Sequence, residues 1–233
     1  AVLPLLQQLH QALLDFGYPP CPGGVMFIND SWIHTVEGWQ ERVDRWLHSG
    51  KSDAMMNMAI FMDGEPVCGN PELFWPIKAS WQLETLRSSI VSARFAKSAL
   101  QFETPLTFLG NIREDHGKID IKKGAIFPLV HGVRALAFEH AIDECNSLER
   151  LAILTEKGVL DSETAQGLRD ALVFFLRVRL RQQLESETPN RGLSQQLDIN
   201  QLRSVDRNML RHALHRVKKF KQQLVQHFHL ENF

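Results

Sequence analysis

Cysteine is scarce in this 233-residue chain, and the three present, Cys21, Cys68 and Cys145, stand far apart with no CxxC pair among them. That excludes a disulfide scaffold and a cysteine-ligated metal knuckle, and it suits a reducing, cytoplasmic setting. Long apolar runs are missing too. None approaches the ~20 residues that a membrane-spanning helix needs, so no membrane partner is expected, and the opening residues carry neither the basic start nor the cleavage site of a secretory signal. Charge of one sign is not in excess: 26 Lys and Arg face 27 Asp and Glu, so no overall field draws the chain to nucleic acid or anionic lipid. Any anion binding has to be local. GxSxG, Walker A and GxGxxG signatures are also absent. Tryptophan is missing after Trp81, although five occur from Trp32 onward. This shift in core composition places a boundary near residue 80 and divides the chain into 1–78 and 79–233.

What is present, 44% hydrophobic and 23% charged residues, is the balance of a globular protein that can bury a sizeable core. Residues 1–16 read as an amphipathic helix, and Val25 to Ile28 as a short buried strand. Asn29, Asp30 and Ser31 can cap a helix carrying Trp32, Val36, Trp39, Val43 and Trp46. Asp63-Gly64 is a hairpin signal before Pro66 to Gly69. From Leu83 onward the periodicity is mostly helical. It predicts helices through Leu100, from about Phe127 to Glu144, after Asn146, after Asp161 and from near Ser204. A polar loop from Glu187 to Asn200 separates the last two. The class that follows is α+β, mostly α, with a small sheet ahead of an antiparallel helical bundle.

Charge gathers at one joint, between Gly117 and Arg134. Ile119 and Ile121 alternate with Asp120 and Lys122, as in an edge strand, and Gly124 leads to a helix with Pro128 in its first turn. Lys122 and Lys123 thus sit just before a helix start, where free N–H groups favour a phosphate; the plainer reading is a solvated basic loop. Arg177, Arg179 and Arg181 alternate along one helix, so not all can face solvent alike: either one turns inward toward an anion or a carboxylate, or their stems lie over apolar surface. The last helix is strongly basic, with Arg203, Arg207, Arg211, Arg216, Lys218, Lys219 and Lys221, and its plainer reading is a solvated face. His212, His215, His227 and His229 lack the spacing of a zinc helix, so no metal is assigned to them. Cys21 lies in a proline-rich turn, with no histidine spaced to act as its base.

Several segments in their order resemble a known family. They are Gly17-Tyr18-Pro19-Pro20-Cys21-Pro22-Gly23-Gly24-Val25-Met26, Met56 to Asp63, Val67-Cys68-Gly69-Asn70, Ile119 to Gly124, Asn146 to Arg150 and Leu176 to Gln183. The series is similar to the nucleotidyltransferases found with CBS and cyclic-nucleotide-binding-like domains, relatives of PII-protein uridylyltransferase and glutamine-synthetase adenylyltransferase. Cys21, Gly23 and Gly24 belong to its most distinctive motif. The resemblance implies that residues 1–78 are the later half of a polymerase-beta-like nucleotidyltransferase domain, and residues 79–233 its helical substrate-binding partner. It also implies that Asp120, Lys122, Lys123 and Gly124 lie near the nucleotide, although Ala125 and Ile126 replace the family's Gly-Gly pair.

Arg177, Arg179, Arg181 and Lys218 are the residues expected to meet a protein or small-molecule acceptor. Mg2+ and a nucleoside triphosphate are the cofactors expected for the full-length protein. The family's metal site, a Gly-Ser turn followed by Asp-x-Asp, is not in this sequence: Asp63 has only Glu65 beside it. The metal-binding half is therefore expected to precede residue 1, and the chain alone to be inactive in transfer, with no catalytic residue assigned. The N-terminal core and CBS-type domains are the expected partners in the same protein, and a homodimer is compatible with them. The alternative is a non-catalytic regulatory module that binds a protein partner through its basic last helix.

Overall fold

The computed structural model describes residues 2–49, 51–79, 88–185 and 196–232. The boundary near residue 80, the start of the helix expected from Leu83 and most of the loop expected from Glu187 lie outside them. Helices α1 (Leu3–Asp15), α2 (Val36–Ser49) and α3 (Ser52–Met62) come first. Helix α4 (Ser89–Lys97) runs into a 3-10 turn at Ser98–Leu100. Strand β1 (Lys118–Asp120) leads through a π-helical turn (Lys122–Ile126) into α5 (Phe127–Glu139). Then come α6 (Ser147–Glu156), α7 (Ser162–Glu185), strand β2 (Gln196–Asp198) and α8 (Ser204–His227). The fold is mostly α, with one two-stranded antiparallel sheet among the described residues.

One strand lies where the alternation at Ile119 put it, and its partner comes from the segment before α8. Lys118 pairs with Asp198, Ile119 with Leu197 and Asp120 with Gln196. Ile119 and Leu197 are both buried at its centre, so the ladder seals the start of α5 against the segment entering α8. Residues 25–28, expected as a strand, form turns instead: Gly24 N–H donates to Cys21 O at 2.9 Å, Asn29 N–H to Met26 O at 3.0 Å, and the Asn29 amide to Gly24 O at 2.7 Å. A four-residue apolar run without a pairing partner has no ladder to satisfy its backbone, so local bonds win. The expected hairpin at Asp63-Gly64 is a helix end, with Gly64 N–H on Phe61 O at 3.0 Å. Met55, Met58, Ala59 and Met62 bury one face at helical spacing, and that periodicity outweighs the short turn signal.

Several helix starts follow sequence chemistry. Asn146 Oδ1 accepts from Leu148 N–H at 2.8 Å and Asp161 Oδ1 from Thr164 N–H at 2.8 Å, which satisfies N–H groups that α6 and α7 leave free. Asn29, by contrast, caps only a 3-10 turn at Asp30–Trp32, and α2 begins later, at Val36. In α8, Leu210, Leu214, Val217, Phe220 and Leu224 form a buried stripe. Arg181 late in α7 meets Asp206 early in α8, while Glu163 early in α7 meets Arg216, so these two helices are antiparallel. α5 packs on α4, α6 and α8. At Gly132 a Cβ would come within 2.5 Å of Leu224 and 2.7 Å of Phe220, so glycine sets how closely α5 approaches α8. α1 stands apart in burying none of its residues.

Candidate functional site

The most deeply buried arginine lies where α3 meets the bundle. Asp63, at the end of α3, accepts from Arg134 Nε at 2.9 Å and Nη2 at 2.5 Å through one oxygen, and from Arg150 Nη2 at 2.7 Å through the other. Arg150 is 1% exposed, reaches the Glu144 carbonyl through Nε and lies over the Phe138 ring. Burial pushes the Asp63 carboxyl up, but the two arginines more than offset it and hold its pKa below the ordinary value. His131, fully buried between the Phe95 and Phe127 rings, donates from Nε2 to Phe95 O at 2.9 Å and faces Arg134 Nη1 with Nδ1 at 3.3 Å. Desolvation first, then the Arg134 charge, lowers its pKa to about 3, so it is neutral. A carboxylate already held by two guanidinium cations is a poor ligand for Mg2+, which they would repel. Asp63 and Glu65 do not fit the magnesium site that the resemblance implies, and no chemical step is derived through it.

The glycine-flanked lysine segment is partly closed by its own acid. Asp120 Oδ1 accepts from Lys123 N–H at 2.9 Å, and Lys123 Nζ lies 3.9 Å from the other oxygen. This helix start thus already carries a carboxylate. Lys122 and Lys123 are exposed, and Lys123 Nζ sits 5.8 Å over the Phe102 ring. Gly124 is buried against the loop that follows Phe102: a Cβ there would meet Pro105 Cδ at 2.7 Å. Its role in the fold is close packing.

That loop forms one wall of a cavity of about 400 Å³ beside α8. Leu106 bridges Ile112, Lys221 Nζ donates to Phe102 O at 2.7 Å, and His215 Nε2 lies 2.9 Å from Gly110 O, so α8 holds the loop at two points. Lys218, Lys221, Thr104, Thr107, Glu103 and Phe108 are among the lining residues. The Thr104 hydroxyl is buried with no hydrogen-bond partner among the described residues. Glu103 is drawn away by Arg113 at 2.6 Å, which lowers its pKa. Desolvation lowers the pKa of half-buried Lys221. Lys218 is exposed, and no described ion pair holds it.

The three arginines of α7 are not part of this cavity. Arg181 is the one turned inward, with Nη1 and Nη2 each 3.2 Å from buried Asp206 Oδ2, which Arg203 Nε also reaches at 3.1 Å. Hydrogen bonds from Arg203 and Arg181 hold Asp206 below the ordinary carboxylate pKa. Arg177 lies over Phe174, and Arg179 buries Nε without a described partner. Cys21 is a free, exposed thiol in a turn, Gly24 has φ +68°, and a Cβ on Gly23 would touch only the Cys21 sulfur, at 3.9 Å. A second cavity, about 580 Å³, is walled by Met26, Trp32, Trp39, Phe61 and Phe74, with Glu65 as the charged residue on its lining. Ring faces and an acid suit an apolar or cationic group better than a phosphate.

Lys221 was visible only as one charge in a basic run, and the wall it holds lies more than a hundred residues upstream. The junction left a clearer trace. Arg134 and Arg150 interrupt the apolar stripes of α5 and α6, and a guanidinium in an apolar stripe needs a partner.

Residues 89–228 match a family model described as "Putative nucleotidyltransferase substrate binding domain", and residues 1–53 match one described as "Putative nucleotidyltransferase DUF294". No curated protein and no solved structure matches the chain.

Proposed function

The chain belongs to the family described as the putative nucleotidyltransferase substrate binding domain, and from that premise we propose that it receives an anionic substrate in the cavity between the Phe102–Arg113 loop and α8. The observation that carries this reading is the pair Lys218 and Lys221 on one lining, beside a buried Thr104 hydroxyl that has no described protein partner. Two ammonium groups and an unused hydroxyl are what phosphate oxygens need. Lys122 and Lys123 belong to the turn packed on the same loop, and in this reading they reach a nucleoside triphosphate. Arg177 and Arg179 are left for the acceptor, because Arg181 is held by Asp206.

The full-length protein is then a signal-transduction nucleotidyltransferase of the PII-uridylyltransferase kind, working in the cytoplasm beside CBS-type domains. Its Mg2+ ligands come from carboxylates other than Asp63 and Glu65. Titration of the chain with Mg-ATP and Mg-UTP, with acceptor transfer followed in parallel, tests this. Binding without transfer is expected, and binding should weaken about tenfold in Lys218→Ala, the cost of one charge-assisted contact. Robust transfer by the chain itself would overturn the reading.

The alternative, a regulatory module binding a protein through α8, is weakened by a particular observation. Arg203 and Arg216 are ion-paired and Arg207 holds a backbone carbonyl, so part of the basic run already has partners within the chain.

A further inference from the structure

Helices α5 and α8 end side by side. Glu139 is the last residue of α5, His140 caps it, and His227 is the last residue of α8. One ligand atom from each of the three lies within 4.8 Å of the other two. His227 Nε2 is 2.5 Å from Glu139 Oε2, and His140 Nε2 is 3.6 Å from the same oxygen. A His–Glu hydrogen bond accounts for the first pair. It does not account for His140, whose Nε2 is buried with no hydrogen-bond partner among the described residues. A buried imidazole nitrogen without a partner is costly unless something occupies its lone pair.

We propose that Glu139, His140 and His227 bind a divalent transition metal ion of the zinc class. Two imidazoles and a carboxylate suit such an ion, whereas Mg2+ and Ca2+ prefer oxygen donors. Metal–ligand bonds of about 2.0–2.2 Å set neighbouring ligands about 3.3 Å apart. The His140 contact is close to that spacing, and the His227 pair opens as the ion displaces the shared proton. Two helix C-termini add partial negative charge at the same place. A cavity of about 380 Å³ adjoins His227, and Gln223 on its lining buries Oε1 with no described partner, so a fourth coordination position has room for water or a ligand. The sequence could not show this site, because His227 finds its co-ligands on α5 rather than among the other histidines of the last helix.

The test is titration of the 233-residue chain with Zn2+ and Co2+. One equivalent of Co2+ should give visible ligand-field bands that Zn2+ abolishes and Mg2+ leaves alone. His140→Ala and His227→Ala should each weaken Zn2+ binding by more than the ~10–100-fold typical of losing an outer-shell partner, while His229→Ala should not. Absence of Co2+ bands, or wild-type Zn2+ affinity in both variants, overturns the proposal. Should either alanine variant lose its far-UV helical signal, Glu139→Gln decides: weakened binding supports the site, and unchanged binding overturns it.

Discussion

At the junction of α3 with the bundle, one carboxylate meets two guanidinium groups, and both its oxygens are spoken for. Beside α8, two ammonium groups share a cavity lining whose carboxylate, Glu103, is taken by Arg113. The first group is largely buried and each of its charges has a partner within the fold; the second faces a space whose lining carries more positive than negative charge. Charge that the fold consumes builds the fold, and charge that it leaves open is available to a ligand. Damage to the junction should therefore appear in stability, and damage to the cavity in binding.

The largest effect is expected from Asp63→Ala, which strands buried Arg150 and partly buried Arg134. Breaking a buried pair from one side costs about 3–5 kcal/mol, measurable as a lower urea midpoint, while affinity per folded molecule should not change. Acid should attack the same place. His131 has a pKa of about 3 when folded against an ordinary 6.5, so the unfolded chain binds the extra proton across that window. Stability is then full above pH 6.5 and falls by about 1.4 kcal/mol per unit as the pH drops toward 3. In His131→Gln that slope should vanish from unfolding curves. Asp63, whose folded pKa is lowered, adds a loss that begins only as pH nears its unfolded value of 3.8.

Asp206→Asn lies between the two extremes. Its carboxylate is buried, but Arg203 and much of Arg181 keep contact with water, so about 1–2 kcal/mol is expected by thermal denaturation. Lys218→Ala should be smallest in stability, within about 0.5 kcal/mol. Equal destabilisation by Asp206→Asn and Asp63→Ala would show that burial of the partner does not set the cost.

Helix starts were legible where apolar spacing and a capping residue agreed at Asn146 and Asp161, but not at Asn29, which caps a 3-10 turn ahead of α2. β1 was legible through Ile119, but its partner β2 is three residues in a polar stretch and carries no comparable signal. The strand expected at Val25 failed because nothing pairs with it. At Asp63-Gly64 the sequence held two messages, a turn dipeptide and a methionine stripe, and packing favoured the stripe. For the candidate site, Lys218 could be named but its cavity could not, since the opposing wall depends on Lys221 and His215 holding a distant loop. Gly124, expected near the nucleotide, is buried where a Cβ would meet Pro105, a close approach that the sequence does not display.

The most direct test measures two quantities on two variants: Mg-ATP affinity by calorimetry and the melting temperature, for Lys218→Ala and Asp63→Asn. Lys218→Ala should lose about tenfold in affinity at an unchanged melting temperature, and Asp63→Asn should melt several degrees lower with wild-type affinity. If both variants lose affinity in proportion to stability, or if Lys218→Ala binds Mg-ATP as well as the wild type does, the division between structural and ligand-facing charge is wrong.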